Sequence, residues 1–261
     1  MFHYTLTLKH YMMKKNIALF LLLVSVICKG YAPDPANVFL KNIQDKINNT
    51  FVKCCIDKNI DKLSEIESKL DKIKNNNIVL YWKAYTIYYK AIYHYIYKDK
   101  DKSKLEIERG LLVFEAIKMK SSEDYALLSY MQSFSIQYSS GIRAGFLSTN
   151  AKKNAQKAID MDNKNLRAFL VMGAIDFYTP KQYGGGNETE KFLKKAITMK
   201  SQEVKNDYLP SWGQEESYEM LIKYYIQSKK FNLAKQCFKE AIKKYPDSYI
   251  IEKQGRYLID K

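Results

Sequence analysis

EESYEMLIKYYIQSKKFNLAKQCFKEAIKKYPDS, residues 215–248, carries two apolar rows at helical spacing, one after the other. Tyr218, Leu221 and Tyr225 recur at intervals of three and four. After the polar break Ser228-Lys229-Lys230 the row resumes with Ala234, Phe238 and Ala241. Such intervals place side chains on one face of an α-helix. Pro246 then stops the second row, because proline has no amide hydrogen for the next turn. Large residues on the first helix against Ala234 and Ala241 on the second let two axes approach closely. The segment therefore predicts an antiparallel pair of helices.

The same period extends toward the N-terminus. Phe39, Ile43, Ile47 and Phe51 mark one helical face, and Ile60, Leu63, Ile66, Leu70 and Ile73 mark a second, which predicts a hairpin over 33–75. Further helices are expected at 78–97, 103–118, 123–140, 149–160, 165–177, 188–199, 214–228, 231–244 and 248–258. Proline is absent from Ala36 to Thr179, and no alternating strand pattern persists, so the fold is expected to be all-α. Phe169, Met172 and Gly173 followed by Leu193 and Ala196 form another pair, lengthened by the insertion Thr179-Pro180-Lys181-Gln182-Tyr183-Gly184-Gly185-Gly186. Ala151, Ala155, Ala158 and Asn163 close the pair before it.

The spacing in 215–248 resembles a tetratricopeptide repeat (TPR), with Ile222 departing from the small residue the family prefers there. Together with Trp212-Gly213 and the glycine-rich insertion, the chain is similar to exported bacterial TPR proteins, with a looser similarity to periplasmic TPR subunits of tripartite solute transporters. The resemblance implies a right-handed solenoid of helical hairpins. Its domains would be an export signal at 1–32, a hairpin at 33–75, degenerate repeats over 76–200 with the insertion at 179–186, and a last repeat with a capping helix over 201–261. The first helix of each pair would line the concave groove. That places Glu216, Glu219, Lys223, Ile226 and Gln227 there from one repeat, and Arg167, Leu170, Ala174, Phe177 and Tyr178 from the preceding one. Tyr218, Leu221, Tyr225, Ala234, Phe238, Ala241 and Pro246 would pack the repeat itself.

The chain has 261 residues, 46% of them apolar and 27% charged, which excludes a disordered or collagen-like polymer. Lys14 and Lys15 precede an apolar run from Ile17 to Cys28, with Gly30-Tyr31-Ala32 as a cleavage region. This is the pattern of a signal peptide, with Met13 as initiator, and it predicts a periplasmic or secreted protein. The run is too short for a membrane span, so the mature chain is expected to hold none. Cys28 leaves lipoprotein anchoring as an alternative, against which Ile27 argues. The chain stays basic after cleavage at Ala32, since only lysines are lost with the signal. The basic excess, 43 Lys and Arg over 28 Asp and Glu, is nearly all lysine. With four arginines (Arg109, Arg143, Arg167, Arg256), nucleic-acid binding is not expected.

No motif for catalysis emerges. Of three histidines, His3 and His10 lie in the signal region and His94 sits alone in an aromatic helix. The Gly184–Gly186 run lacks the Lys-Ser/Thr of a phosphate loop and reads as a turn needing positive φ. Cys54, Cys55 and Cys237 read as buried free thiols, and no cofactor or metal is expected. Tyr81, Tyr85, Tyr89, Tyr93 and Tyr97 recur every fourth residue, each step advancing about 40° around the axis. They serve either as bulky core or as a stacking surface. The expected function is a non-catalytic exported scaffold binding a protein or peptide. The alternative is a small-ligand-binding accessory subunit of an envelope transport system.

Overall fold

The computed structural model describes residues 35–74 and 76–259. The expected export signal, with Met13 and Cys28, lies outside the described residues. The chain forms two units, residues 1–41 and 42–261, and of the first the short helix α1 (Pro35–Leu40) is described. The row Phe39, Ile43, Ile47 and Phe51, expected on one helix, is broken: Asn42 has a left-handed φ of 54°, and α2 starts only after it.

The second unit holds α2 (Ile43–Asp57), α3 (Asp61–Asp71), α4 (Asn77–Ile96), α5 (Lys100–Val113), α6 (Ser122–Ser135) and α7 (Gly141–Met161). It continues with α8 (Leu166–Tyr178), α9 (Thr189–Thr198), α10 (Gln214–Gln227), α11 (Phe231–Lys244) and α12 (Tyr249–Gly255). No strand occurs among the described residues, so the fold is all-α. Each helix packs on its neighbour in sequence. In addition α2 packs on α4, α4 on α6, α6 on α8 and α8 on α10, which makes these five one layer, here called the inner layer.

Small residues set the distances between helices. Ala151 and Ala155 of α7 meet Val171 and Ile175 of α8, and Ala126, Ala158 and Ala168 join α6, α7 and α8 at the other end. In the last pair Ala234 and Ala241 are fully buried and so are Leu221 and Ile222. Ile222 takes the position where a smaller residue was expected without being forced to the surface.

A common turn links the helices of a pair. Lys58, Lys98 and Lys229 have φ of 51°, 63° and 57°. The amides just after them, Asn59, Asp99 and Lys230, donate back to Cys54 O, His94 O and Tyr225 O at 3.1, 2.9 and 2.8 Å. This satisfies carbonyls left open at each helix end. Gly141 and Gly184 take the left-handed position in the two remaining pairs.

Boundaries differ from the sequence expectation where no buried row marks them. α7 begins at Gly141 instead of 149, and its first turns carry the exposed Ile142 and Phe146. α5 ends at Val113, where Phe114 turns into the core through a short 3-10 segment. In the insertion, Gly184 and Gly186 have φ of 83° and 84°. A Cβ on Gly185 would fall 1.8 Å from the Thr179 carbonyl oxygen. The buried Asp176 ties the insertion down: its carboxylate accepts from Glu188 N, Thr189 N and Thr189 Oγ1 at 2.9, 2.7 and 2.7 Å, capping α9.

Candidate functional site

Residues 199–213, which join α9 to α10 without a helix, do not hang free. Gln202 curls the segment, its amide donating to Asn206 O and Leu209 O at 3.0 and 2.9 Å. The segment then crosses the inner layer, bonding helix after helix. On α2, Gln44 Oε1 accepts from Ser211 N and Trp212 N at 2.8 and 3.1 Å. On α4, Trp82 Nε1 donates to Tyr208 O at 2.9 Å, and Trp212 Nε1 donates to Tyr81 Oη at 2.8 Å. On α8, Arg167 donates to Trp212 O at 2.9 Å and to Ser201 O at 3.1 Å. The Trp212 ring stacks on Tyr130 of α6, centroids 5.3 Å apart at 24°.

This crossing corrects two groove assignments. Arg167 and Leu170 are buried, and the Gly213 backbone lies directly over them; a Cβ there would meet Arg167 Cγ at 2.9 Å. They anchor the segment and do not line open space. Ala174 is buried as well. Gly213 can lie so close because its φ is 108°, a conformation that favours glycine.

Beyond Trp212 the C-terminal halves of the inner helices bring aromatic rings together in one cluster. Tyr88 packs against Tyr130 (5.4 Å) and edge-on to Phe134 (5.5 Å). The Tyr85 and Tyr89 hydroxyls are 3.3 Å apart. Tyr89, Tyr130 and Glu216 are half-buried, and Tyr178 is exposed. On α10, Lys223 Nζ donates to Tyr178 Oη at 3.1 Å and lies over the Phe177 ring, while Glu219 accepts from Gln254 at 2.7 Å. Ile226 is half-buried and Gln227 exposed at the end of α10.

Burial pushes the Tyr85, Tyr88, Tyr89 and Tyr130 phenols well above their ordinary range, so they remain neutral donors. Burial also pushes the Glu216 and Glu219 carboxyls up. For Lys223 burial works against the charge, but the Tyr178 hydroxyl and Glu219 outweigh it and raise its pKa. The cluster thus combines aromatic rings, neutral hydroxyls, one cation and two weakened acids.

The residues expected to pack the last repeat lie between α10, α11 and α12. Tyr218, Leu221 and Tyr225 are buried with Ala234 and Ala241, and Phe238 is half-buried against Gly255. Pro246 follows the end of α11 by two residues, on the surface. The tyrosine row divides: Tyr81 and Tyr85 are core under the crossing segment, Tyr89 is half-buried at the edge of the aromatic cluster, and Tyr97 is exposed, its hydroxyl donating to Cys55 O at 2.5 Å. His94 is half-buried, edge-on to Tyr93. Cys54 and Cys237 are buried free thiols, whereas Cys55 is half-buried; burial pushes Cys237 up to about 12. No group of three His, Cys, Asp or Glu that could hold a metal occurs among the described residues. A shallow depression of ≈ 420 Å³ along α3, lined by Asp61, Ser64 and Lys72 among others, is the polar face of one helix and has no apolar wall.

The fold and site define a class: an all-α protein of packed helical pairs whose inner face is partly covered by its own connecting segment. No family model matches the chain, and no curated protein matches it in sequence. Among solved structures it is similar to the HusA haemophore from Porphyromonas gingivalis, with a TM-score of 0.52 and 17% identity over 76% of this chain and 96% of that one. At that identity the likeness shows the fold. No described helix is long and apolar enough to cross a membrane.

Proposed function

We propose that this protein is an exported, non-catalytic binding protein, a TPR-like solenoid that holds a small planar aromatic ligand against the half-buried edge of the aromatic cluster beside Trp212. The observation that carries this reading is the stack of Trp212 on Tyr130, with Tyr88 alongside, where the crossing segment closes one end of the inner face. Aromatic walls bind flat apolar ligands through their π-faces, and a few polar groups fix orientation. The neutral phenols supply hydrogen bonds, and Lys223 supplies a partner for a ligand carboxylate. The structural neighbour is named a haemophore, and a porphyrin is such a ligand.

A second reading, an extended peptide bound along Glu219, Lys223 and Gln227 of α10, is what the resemblance to TPR proteins implies. Titration of the chain from residue 33 with haemin, read by tryptophan fluorescence and Soret absorption, tests the first. Saturable quenching that Tyr88→Ala and Tyr130→Ala both weaken would support it. No saturable change with a folded chain would overturn it, and a bound peptide mass in native mass spectrometry would favour the second.

A further inference from the structure

The inner helices end at one rim. At the end of α4, Tyr97 donates to Cys55 O near the end of α2, and Tyr95 lies 5.7 Å from Phe134 near the end of α6. Lys223 of α10 reaches Tyr178 at the end of α8. Because Ala151 and Ala155 pack on Ile175 and Val171, α7 begins at this rim too. Here Ile142 is 95% exposed and Phe146 65%, with Ile96, Tyr178 and Tyr183 also exposed.

Cations stand between these apolar groups. Lys58, Lys98 and Lys229 occupy the left-handed turn positions, and Arg143 and Lys181 flank the other two turns. The acids nearby are taken by other lysines: Asp57 by Lys62, Asp99 by Lys102 and Glu188 by Lys191. Lys58, Lys98, Arg143, Lys181 and Lys229 have no carboxylate partner among the described residues. Near the start of α8 and in the crossing segment, Glu203 meets Lys164 and Lys200, and Asp207 meets Lys205.

We propose that the rim carrying Ile142 and Phe146 rests on an anionic lipid bilayer, these two side chains entering the headgroup layer and the five unpaired cations meeting lipid phosphates. Apolar and aromatic groups interspersed with lysine and arginine suit that interface, where tyrosine rings sit at headgroup depth. A protein partner fits less well, because interface cores are depleted in lysine. The inference stands on Ile142, Phe146 and the five cations, none of which belongs to the aromatic cluster.

Vesicle co-sedimentation tests it. The chain from residue 33 is used, since every described element lies beyond that point. At low salt it should partition onto phosphatidylcholine vesicles containing about 30% phosphatidylglycerol at least about five-fold more tightly than onto phosphatidylcholine alone, and salt should weaken this. Ile142→Ser/Phe146→Ser and, separately, Lys98→Glu/Arg143→Glu/Lys181→Glu should each reduce partition by at least about five-fold with circular dichroism unchanged. Lys164→Glu/Lys205→Glu, near the start of α8 and in the crossing segment, should not. Equal partition onto both vesicle types, equal loss with Lys164→Glu/Lys205→Glu, or a dimer in sedimentation velocity that Ile142→Ser/Phe146→Ser abolishes without any vesicle binding would overturn the proposal.

Discussion

Arg167 on α8, buried, and Glu123 on α6, half-buried, form a two-pronged ion pair. Arg167 Nε donates to one carboxylate oxygen at 2.5 Å and NH2 to the other, while NH1 holds the Trp212 carbonyl. One guanidinium thus fastens two inner helices and the crossing segment together. Burial opposes its charge, but Glu123 outweighs this and raises the Arg167 pKa. Arg167→Met leaves the Glu123 carboxylate and the Trp212 and Ser201 carbonyls unpaired, and should lower stability by about 3–5 kcal/mol. Arg167→Met/Glu123→Met should recover a good part of it, measured by urea denaturation. Equal losses in the single and double variants would show that the pair is not what matters there.

The Trp212 indole tests whether the crossing segment is held by its side chain or by backbone bonds alone. Tyr81→Phe deprives the indole N–H of its acceptor and should cost about 1–3 kcal/mol. Trp212→Ala removes the stack with Tyr130 as well and should cost about 3–5 kcal/mol. In Trp212→Ala the aromatic cluster loses the ring stacked on Tyr130, so haemin binding should weaken more than in Tyr81→Phe. Comparable stability of Trp212→Ala and the parent protein would show the segment anchored by Gln44 and Arg167.

Much of the helical layout was legible because buried rows recur at three and four residues, as with Ala234, Phe238 and Ala241. The turns were less so. Lys58, Lys98 and Lys229 adopt a conformation usually signalled by glycine, so nothing in residue type marked them. The crossing segment was hidden for another reason. Gln44 looks like any polar residue on a helix, and only tertiary structure brings it against Ser211 and Trp212. Trp212 itself was the available signal: a large apolar ring in a linker has to be buried somewhere. The TPR resemblance implies that Arg167 and Leu170 line the groove, but it carries no information about the connecting segment that buries them.

The glycine insertion separates two roles of the same residue. Gly184 has a left-handed φ with open space around its missing side chain, so Gly184→Ala should cost about 1–2 kcal/mol through backbone strain alone. Gly185 has an ordinary φ, but a methyl group there collides with the Thr179 backbone. Gly185→Ala must displace the turn and should be the more damaging change, lowering the melting temperature further and loosening the Asp176 cap on α9. Thermal melts of the two variants decide the order; the reverse order would mean that the turn relaxes freely.

Acid should weaken the join between α9 and the last pair. Glu190 accepts from Lys194 and Lys230, both at 2.8 Å, and from the Tyr225 hydroxyl at 3.0 Å. The Lys194 and Lys230 bonds hold its carboxyl down at about 2, against an ordinary value of 4.5. A depressed carboxyl contributes stability that is complete above the unfolded value and disappears as pH falls through the folded one. The window is therefore from about 4.5 down to about 2. Glu190→Gln keeps the shape but not the charge, and since the pairs are partly solvated it should lower the melting temperature at neutral pH by about 1–3 °C. Near the lower end of that window the parent protein loses the same charge, so the two melting curves should converge. A gap that persists unchanged at low pH would assign the effect to packing and not to the lysine bonds.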